Sequence, residues 1–85
     1  MKLSKHFQDR WRERVKRPLP TTKEIDDMVN EALLLQRYRD VYTPRGRRIT
    51  ILELYWVADK GLVLKVNKKA DIAVTVLTSD MMEVI

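Results

Sequence analysis

Eighty-five residues, 45% of them apolar and 34% charged, make one globular domain, 1–85, and leave no room for a cofactor domain beside a substrate domain. A chain this short buries only about 60% of the surface its unfolded form exposes, so its core is thin. The lack of cysteine excludes disulfide scaffolds and thiolate metal sites, one histidine leaves no structural zinc set, and a net charge of +5 points to a polyanionic partner.

Ser4 is placed to cap a first helix over 5–16, in which Phe7, Trp11 and Val15 form an apolar stripe and Leu3 extends it. Pro18 and Pro20 end it. PLPTTKE then carries a capping box, Thr21 with Glu24 three residues on. A second helix is predicted over 22–36, with Ile25, Met28, Val29, Ala32, Leu33 and Gln36 at helical spacing and Leu34 and Leu35 widening the stripe. Asp26 and Asp27 suit its first turn, and Arg37 and Arg39 follow its end, each where the helix dipole favours its charge.

From Tyr38 the period changes to two. Strands are predicted over 38–43, 47–57, 61–67 and 72–78, with turns at TPRGR, ADKG and KKAD. In the longest strand Thr50, Leu52, Leu54 and Trp56 form the more apolar face. SDMMEVI reads as a short helix or a docked tail. The order is α-α-β-β-β-β: an α+β fold with two N-terminal helices packed on one face of a four-stranded, mainly antiparallel sheet.

Charge follows these elements. Residues 1–20 hold seven Lys/Arg against two acids, 21–36 one against four, and 37–48 five against one. Two basic blocks therefore flank an acidic helix, the footprint of a nucleic-acid partner. No apolar run approaches the roughly 20 residues of a membrane span. MKLSKHFQDR turns polar at once, unlike a signal peptide, so a cytoplasmic location without membrane contact is expected.

His6, Arg10 and Arg14 form an i, i+4, i+8 row along the edge of the first helix's apolar stripe. Arginine offers a planar fork to phosphate oxygens. A histidine beside two cations resists protonation, and a neutral imidazole is what a general base requires. The plainer alternative lays both arginine stems over Trp11, with their heads in water. Thr75 shares a predicted face with Ala73 and Leu77, and if that face is the one opposite the helices its hydroxyl suits a hydrogen bond to a scissile phosphate; Lys65, alternating with Val63 and Asn67, suits the same cluster. As plain strand residues they need no such role. Arg45, Arg47 and Arg48 at the first hairpin are solvated and suited to backbone tracking along RNA. Tyr55 and Trp56 suit core or half-buried positions, with base stacking as the alternative. Asp26 and Asp27 are explained by the helix start rather than by acid–base work.

The H-x-x-x-R-x-x-x-R helix at His6, Arg10 and Arg14, the P-T-T-K-E-I-capped second helix and the A-V-T-V-L ending at 73–77 together resemble small phage- and mobile-element-associated domains of the RelE-like/colicin-nuclease superfamily, the barnase–colicin–RelE fold. The resemblance implies helices packed on a four-stranded antiparallel sheet. It also implies a metal-independent, cofactor-free endoribonuclease of the toxin type, partnered by an acidic antitoxin protein. It assigns attack of the ribose 2′-OH on the adjacent phosphate, with His6 as base, Arg10 and Arg14 as phosphate clamps and Thr75 as the strand hydroxyl. Two other readings stand beside it. One is a non-catalytic nucleic-acid- or protein-binding module of a phage or integrated element. The other is a monomer that pairs into a weak homodimer through Leu52, Leu54 and Trp56 on an uncovered sheet face.

Overall fold

The computed structural model describes residues 1–82. It is α+β, with two helices, α1 (Lys5–Arg14) and α2 (Thr22–Glu31), and a five-stranded mixed sheet. The strands are β1 (Lys2–Leu3), β2 (Leu33–Tyr42), β3 (Arg48–Val57), β4 (Leu62–Asn67) and β5 (Ile72–Thr78), in the spatial order β1-β5-β4-β3-β2. The fifth strand, absent from the four-stranded expectation, is β1, which pairs with β5 in parallel. Two residues are too few to show a period. A single turn of 3-10 helix, Ser79–Met82, follows β5, so the helical reading of SDMMEVI holds as far as Met82; 83–85 lie outside the described residues.

Local chemistry starts both helices as expected. The Ser4 hydroxyl accepts from Phe7 N at 3.0 Å. Thr21 and Glu24 form the reciprocal capping box, at 3.1 and 3.0 Å. Helix α1 ends at Arg14, two residues before the expected end, because Lys16 turns into the left-handed region at φ +58° ahead of Pro18. The indole of Trp11 then donates to the carbonyl oxygens of Arg17 and Pro18 and ties the connection down.

The larger correction concerns α2. It ends at Glu31, not at 36, and Ala32 is already extended. Leu33, Leu34 and Leu35, expected on the buried stripe of the helix, belong to β2, where Leu33 pairs with Trp56 and Leu34 with Tyr55. Cross-strand pairing with β3 outweighs helical spacing that Leu-Leu-Leu satisfies under either period. Arg37 and Arg39 therefore sit on a strand and not at a helix end.

The core lies between the helices and one sheet face. Phe7 and Trp11, stacked with ring centroids 5.9 Å apart, and Ile25 and Val29 pack on Tyr55, Val57, Leu62, Leu64, Val66, Ala73 and Val76. This is the odd-numbered face of β3, the one that carries Glu53. Helix α1 is fixed over β5 by Ser4, whose N–H donates to Ala73 O at 3.2 Å and whose hydroxyl donates to Val74 O at 3.1 Å. Val74 is the extra residue of a β-bulge, since Lys65 faces Thr75 but Val66 faces Ala73. The bulge breaks the alternation of β5. Ala73 and Thr75, expected on one face, lie on opposite faces.

Glu53 is 1% exposed, directly across from Arg37. Its carboxylate accepts from Arg37 Nε at 2.7 Å and from the Tyr55 hydroxyl at 2.8 Å. Burial pushes this carboxyl up, but the hydrogen bonds from Tyr55 and Arg37 and the charges of Arg37 and Lys68 outweigh it and hold it below its ordinary 4.5. Burial and the Glu53 hydrogen bond push the Tyr55 phenol up to about 12.

Replacing Arg37 by alanine strands a buried carboxylate and is expected to cost about 2–3 kcal/mol at neutral pH. Arg39→Ala, which breaks no ion pair among the described residues, stays within about 0.5 kcal/mol. A carboxyl lowered in the folded state contributes stability above its unfolded value of 4.5 and loses it as pH falls through its folded value. The difference between wild type and Arg37→Ala in urea denaturation therefore narrows below that pH. Equal costs for the two arginine variants would remove this role from Glu53.

Candidate nucleic-acid interface

Strand β3 pairs with β2 from Arg48 onward but with β4 only from Leu52 onward. The first four residues of β3 and their partners on β2 thus project past β4 as a two-stranded arm, roughly 14 Å long at a strand rise of about 3.4 Å per residue. Its tip is a tight turn. Gly46 N donates to Thr43 O at 2.8 Å, Thr43 N to Arg47 O at 2.8 Å, and Arg47 N to the Thr43 hydroxyl at 3.1 Å. Gly46 has φ +79°, a conformation that a side chain would strain. Arg45 and Arg47 are held exposed on this turn.

His6, exposed in the first turn of α1, lines an open cleft of about 850 Å³ together with Thr43, Pro44, Arg45, Gly46 and Arg47. Among the described residues, Arg45 and Arg47 have no carboxylate within ion-pair distance, whereas Arg48 is held by Asp40 through Nε at 2.9 Å. The cleft therefore presents two free guanidinium groups and an imidazole to one volume.

The remaining sequence candidates lie elsewhere. Arg10 pairs with Glu13 at 2.8 Å on the helix surface. Arg14 lies over β5 and donates through Nη1 to Val76 O at 2.9 Å, so it helps fix the helix on the sheet. Thr75 and Lys65 are direct cross-strand partners, as their shared cluster requires, but on the sheet face away from the helices. Thr75 is buried and its hydroxyl has no hydrogen-bond partner among the described residues. The structure thus separates Thr75 and Lys65 from His6, Arg10 and Arg14 by the thickness of the sheet, and it joins His6 to Arg45 and Arg47 instead.

The face of Leu52, Leu54 and Trp56 is not an open apolar surface. Leu52 and Leu54 are buried and Trp56 is half-buried, in rows with Val63 and Leu77, with Lys65 and Thr75, and with Asn67 and Ile72. Tyr55 is a core residue, as its pattern suggested. Among the described residues no group of three or more His, Asp or Glu side chains could hold a metal ion, and no helix is long and apolar enough to cross a membrane.

Comparison with protein-family models, with curated proteins and with solved structures finds no match. Fold and site together define a small α+β domain with a basic cleft between its first helix and a projecting β-arm.

Arg14→Ala is expected to lower stability by about 1–2 kcal/mol, because it removes a partly buried hydrogen bond and the packing of the side-chain stem. His6→Ala, at an exposed position, stays within about 0.5 kcal/mol. Thermal unfolding of the two variants checks this, and the reverse order would place His6 rather than Arg14 in the packing.

Proposed function

We propose that this domain is a nucleic-acid-binding module of the cytoplasm that holds single-stranded RNA by its phosphates in the cleft between His6 and the Thr43–Arg47 turn. One observation carries the reading: Arg45 and Arg47 line the cleft without carboxylate partners among the described residues. Of the seven other arginines, Arg10, Arg12, Arg37 and Arg48 have one. A guanidinium with no internal acceptor keeps its fork for phosphate oxygens. A five-residue turn with one facing side chain suits a single backbone and not a duplex groove. Release of counterions from that backbone supplies the affinity.

Binding of a short labelled single-stranded RNA, followed by fluorescence anisotropy, is expected to weaken linearly with the logarithm of salt concentration. Arg45→Ala with Arg47→Ala removes two contacts and flattens the slope by roughly 1.4, at about 0.7 per contact on a single strand. An unchanged slope would put the RNA elsewhere on the surface.

A second reading, metal-independent RNA cleavage of the toxin type with an acidic antitoxin partner, has one specific support. The imidazole of His6 shares its cleft with two guanidinium groups, the composition that general-base attack by a 2′-OH with phosphate stabilisation would use. Thr75 and Arg14 have no place in that version of the site. On this reading RNA is cut in the presence of EDTA and cutting is lost in His6→Ala. RNA that binds but stays intact, with binding that survives His6→Ala, leaves the module reading alone.

A further inference from the structure

The cleft has one side on α1 and the other on the arm, and these are not neighbours in the sheet. Helix α1 lies over β5, and β4 stands between β5 and β3. At the end of the sheet where the arm projects, β4 runs into a turn, Lys68-Lys69-Ala70-Asp71. Two backbone hydrogen bonds tie this turn to both sides. Lys68 N donates to Ile51 O at 3.1 Å, at the foot of the arm, and Lys2 N donates to Asp71 O at 2.9 Å, on the strand that leads into α1. The turn is also fixed from within: Ala70 N donates to Asn67 Oδ1 at 3.2 Å and Asp71 N to Lys68 O at 3.3 Å. It therefore bridges the foot of the arm and the start of α1.

Lys68 and Lys69 are exposed, and among the described residues neither has a carboxylate within ion-pair distance. Asp71, the acid of the turn, lies 3.6 Å from the Met1 amino group. The charge of Lys68 reaches the Glu53 carboxylate and helps hold it down, and that carboxylate faces the helix side of the sheet, the side of His6. Arg39 stands at the same level. It is the cross-strand partner of Ile51, it is exposed, and it too has no carboxylate partner among the described residues. The far end of β3 has the opposite character: there Glu24, Asp27, Glu31 and Asp59 gather around Lys60. A polyanion is drawn to the arm end and repelled from the other.

We infer, resting on the RNA reading above, that the site is a track with two phosphate subsites: the strand leaves Arg45 and Arg47 at the tip and follows the arm to a second subsite made by Arg39, Lys68 and Lys69. From Ile51 to Arg48 the arm measures roughly 10 Å at about 3.4 Å per residue, and the turn at its tip adds to that. A stacked single strand carries a phosphate about every 3.4 Å along its axis, so about four nucleotides reach from one subsite to the other. The ligand class is an oligonucleotide strand and not a mononucleotide or a free phosphate. Lysine suits the foot of the track, where a compact charge on a flexible stem accepts a backbone at many angles, and the arginine forks at the tip fix its direction.

The salt dependence of binding to a labelled oligouridylate long enough to span both subsites, read by fluorescence anisotropy, tests the track. Lys68→Ala with Lys69→Ala is expected to flatten the slope by roughly 1.4, at about 0.7 per contact on a single strand. Lys23→Ala with Lys60→Ala removes the same charge at the acidic end of β3 and is expected to leave the slope as it is. An unchanged slope in the Lys68, Lys69 variant, or equal flattening in both pairs, overturns the second subsite. Wild-type affinity is also expected to rise with strand length until about four nucleotides are present; an affinity already level at a dinucleotide overturns it as well. Failure of the cleft itself reads differently, because there it is the Arg45→Ala, Arg47→Ala pair that leaves the slope unchanged.

Discussion

The carboxylate of Glu53 holds the least protected part of this domain to its core. No helix covers β2, whose residues are almost all exposed, so its ties to the core are backbone pairing with β3 and the Arg37–Glu53 contact. A buried ion pair gives back little more than its own desolvation cost. Its value lies in specificity. Slipping β2 by one residue against β3 moves Arg37 away from Glu53 and leaves a buried charge unpaired, beside a Tyr55 hydroxyl that cannot neutralise it. The register fixed in this way decides where the turn falls, and so where Arg45 and Arg47 stand relative to His6.

The opposite end of the sheet is fixed by a different device. Ser4 caps α1 and, with the same side chain, holds the carbonyl of the bulged residue Val74. One serine therefore starts the helix, seats it on β5 and reorients the strand so that Ala73 and Val76 both face Phe7 and Trp11. His6, two residues after the cap, inherits its position from this contact. The two walls of the cleft thus come from separate parts of the chain and are set by separate polar contacts.

Features governed by neighbours in sequence were legible there. Ser4 as a cap, the Thr21–Glu24 box, the prolines after α1 and the hairpin glycines all rest on contacts within a few residues. Three features were not. Leu33–Leu35 satisfies both a helical and a strand period, and its choice is made by Tyr55 and Trp56, some twenty residues on. The Val74 bulge is stabilised by Ser4, seventy residues away, so uninterrupted alternation put Thr75 on one face with Ala73, which the structure separates. The row His6, Arg10, Arg14 was drawn from angle alone, and angle does not say that Arg14 reaches a strand carbonyl while Arg10 finds Glu13. The cleft itself did leave a signal. The expected strand over 47–57 was four residues longer than the one over 61–67, and an overhang of that kind must project as an arm.

The proposed RNA site belongs to the β2–β3 hairpin, in the cleft at its tip. Backbone amide shifts of isotope-labelled protein, titrated with a short single-stranded RNA, test the cleft most directly. The largest changes are expected at His6 and across Thr43–Arg47, with the Lys65–Thr75 row unmoved. Changes centred on Lys65 and Thr75, with the turn silent, would contradict it and move the site to the other face of the sheet.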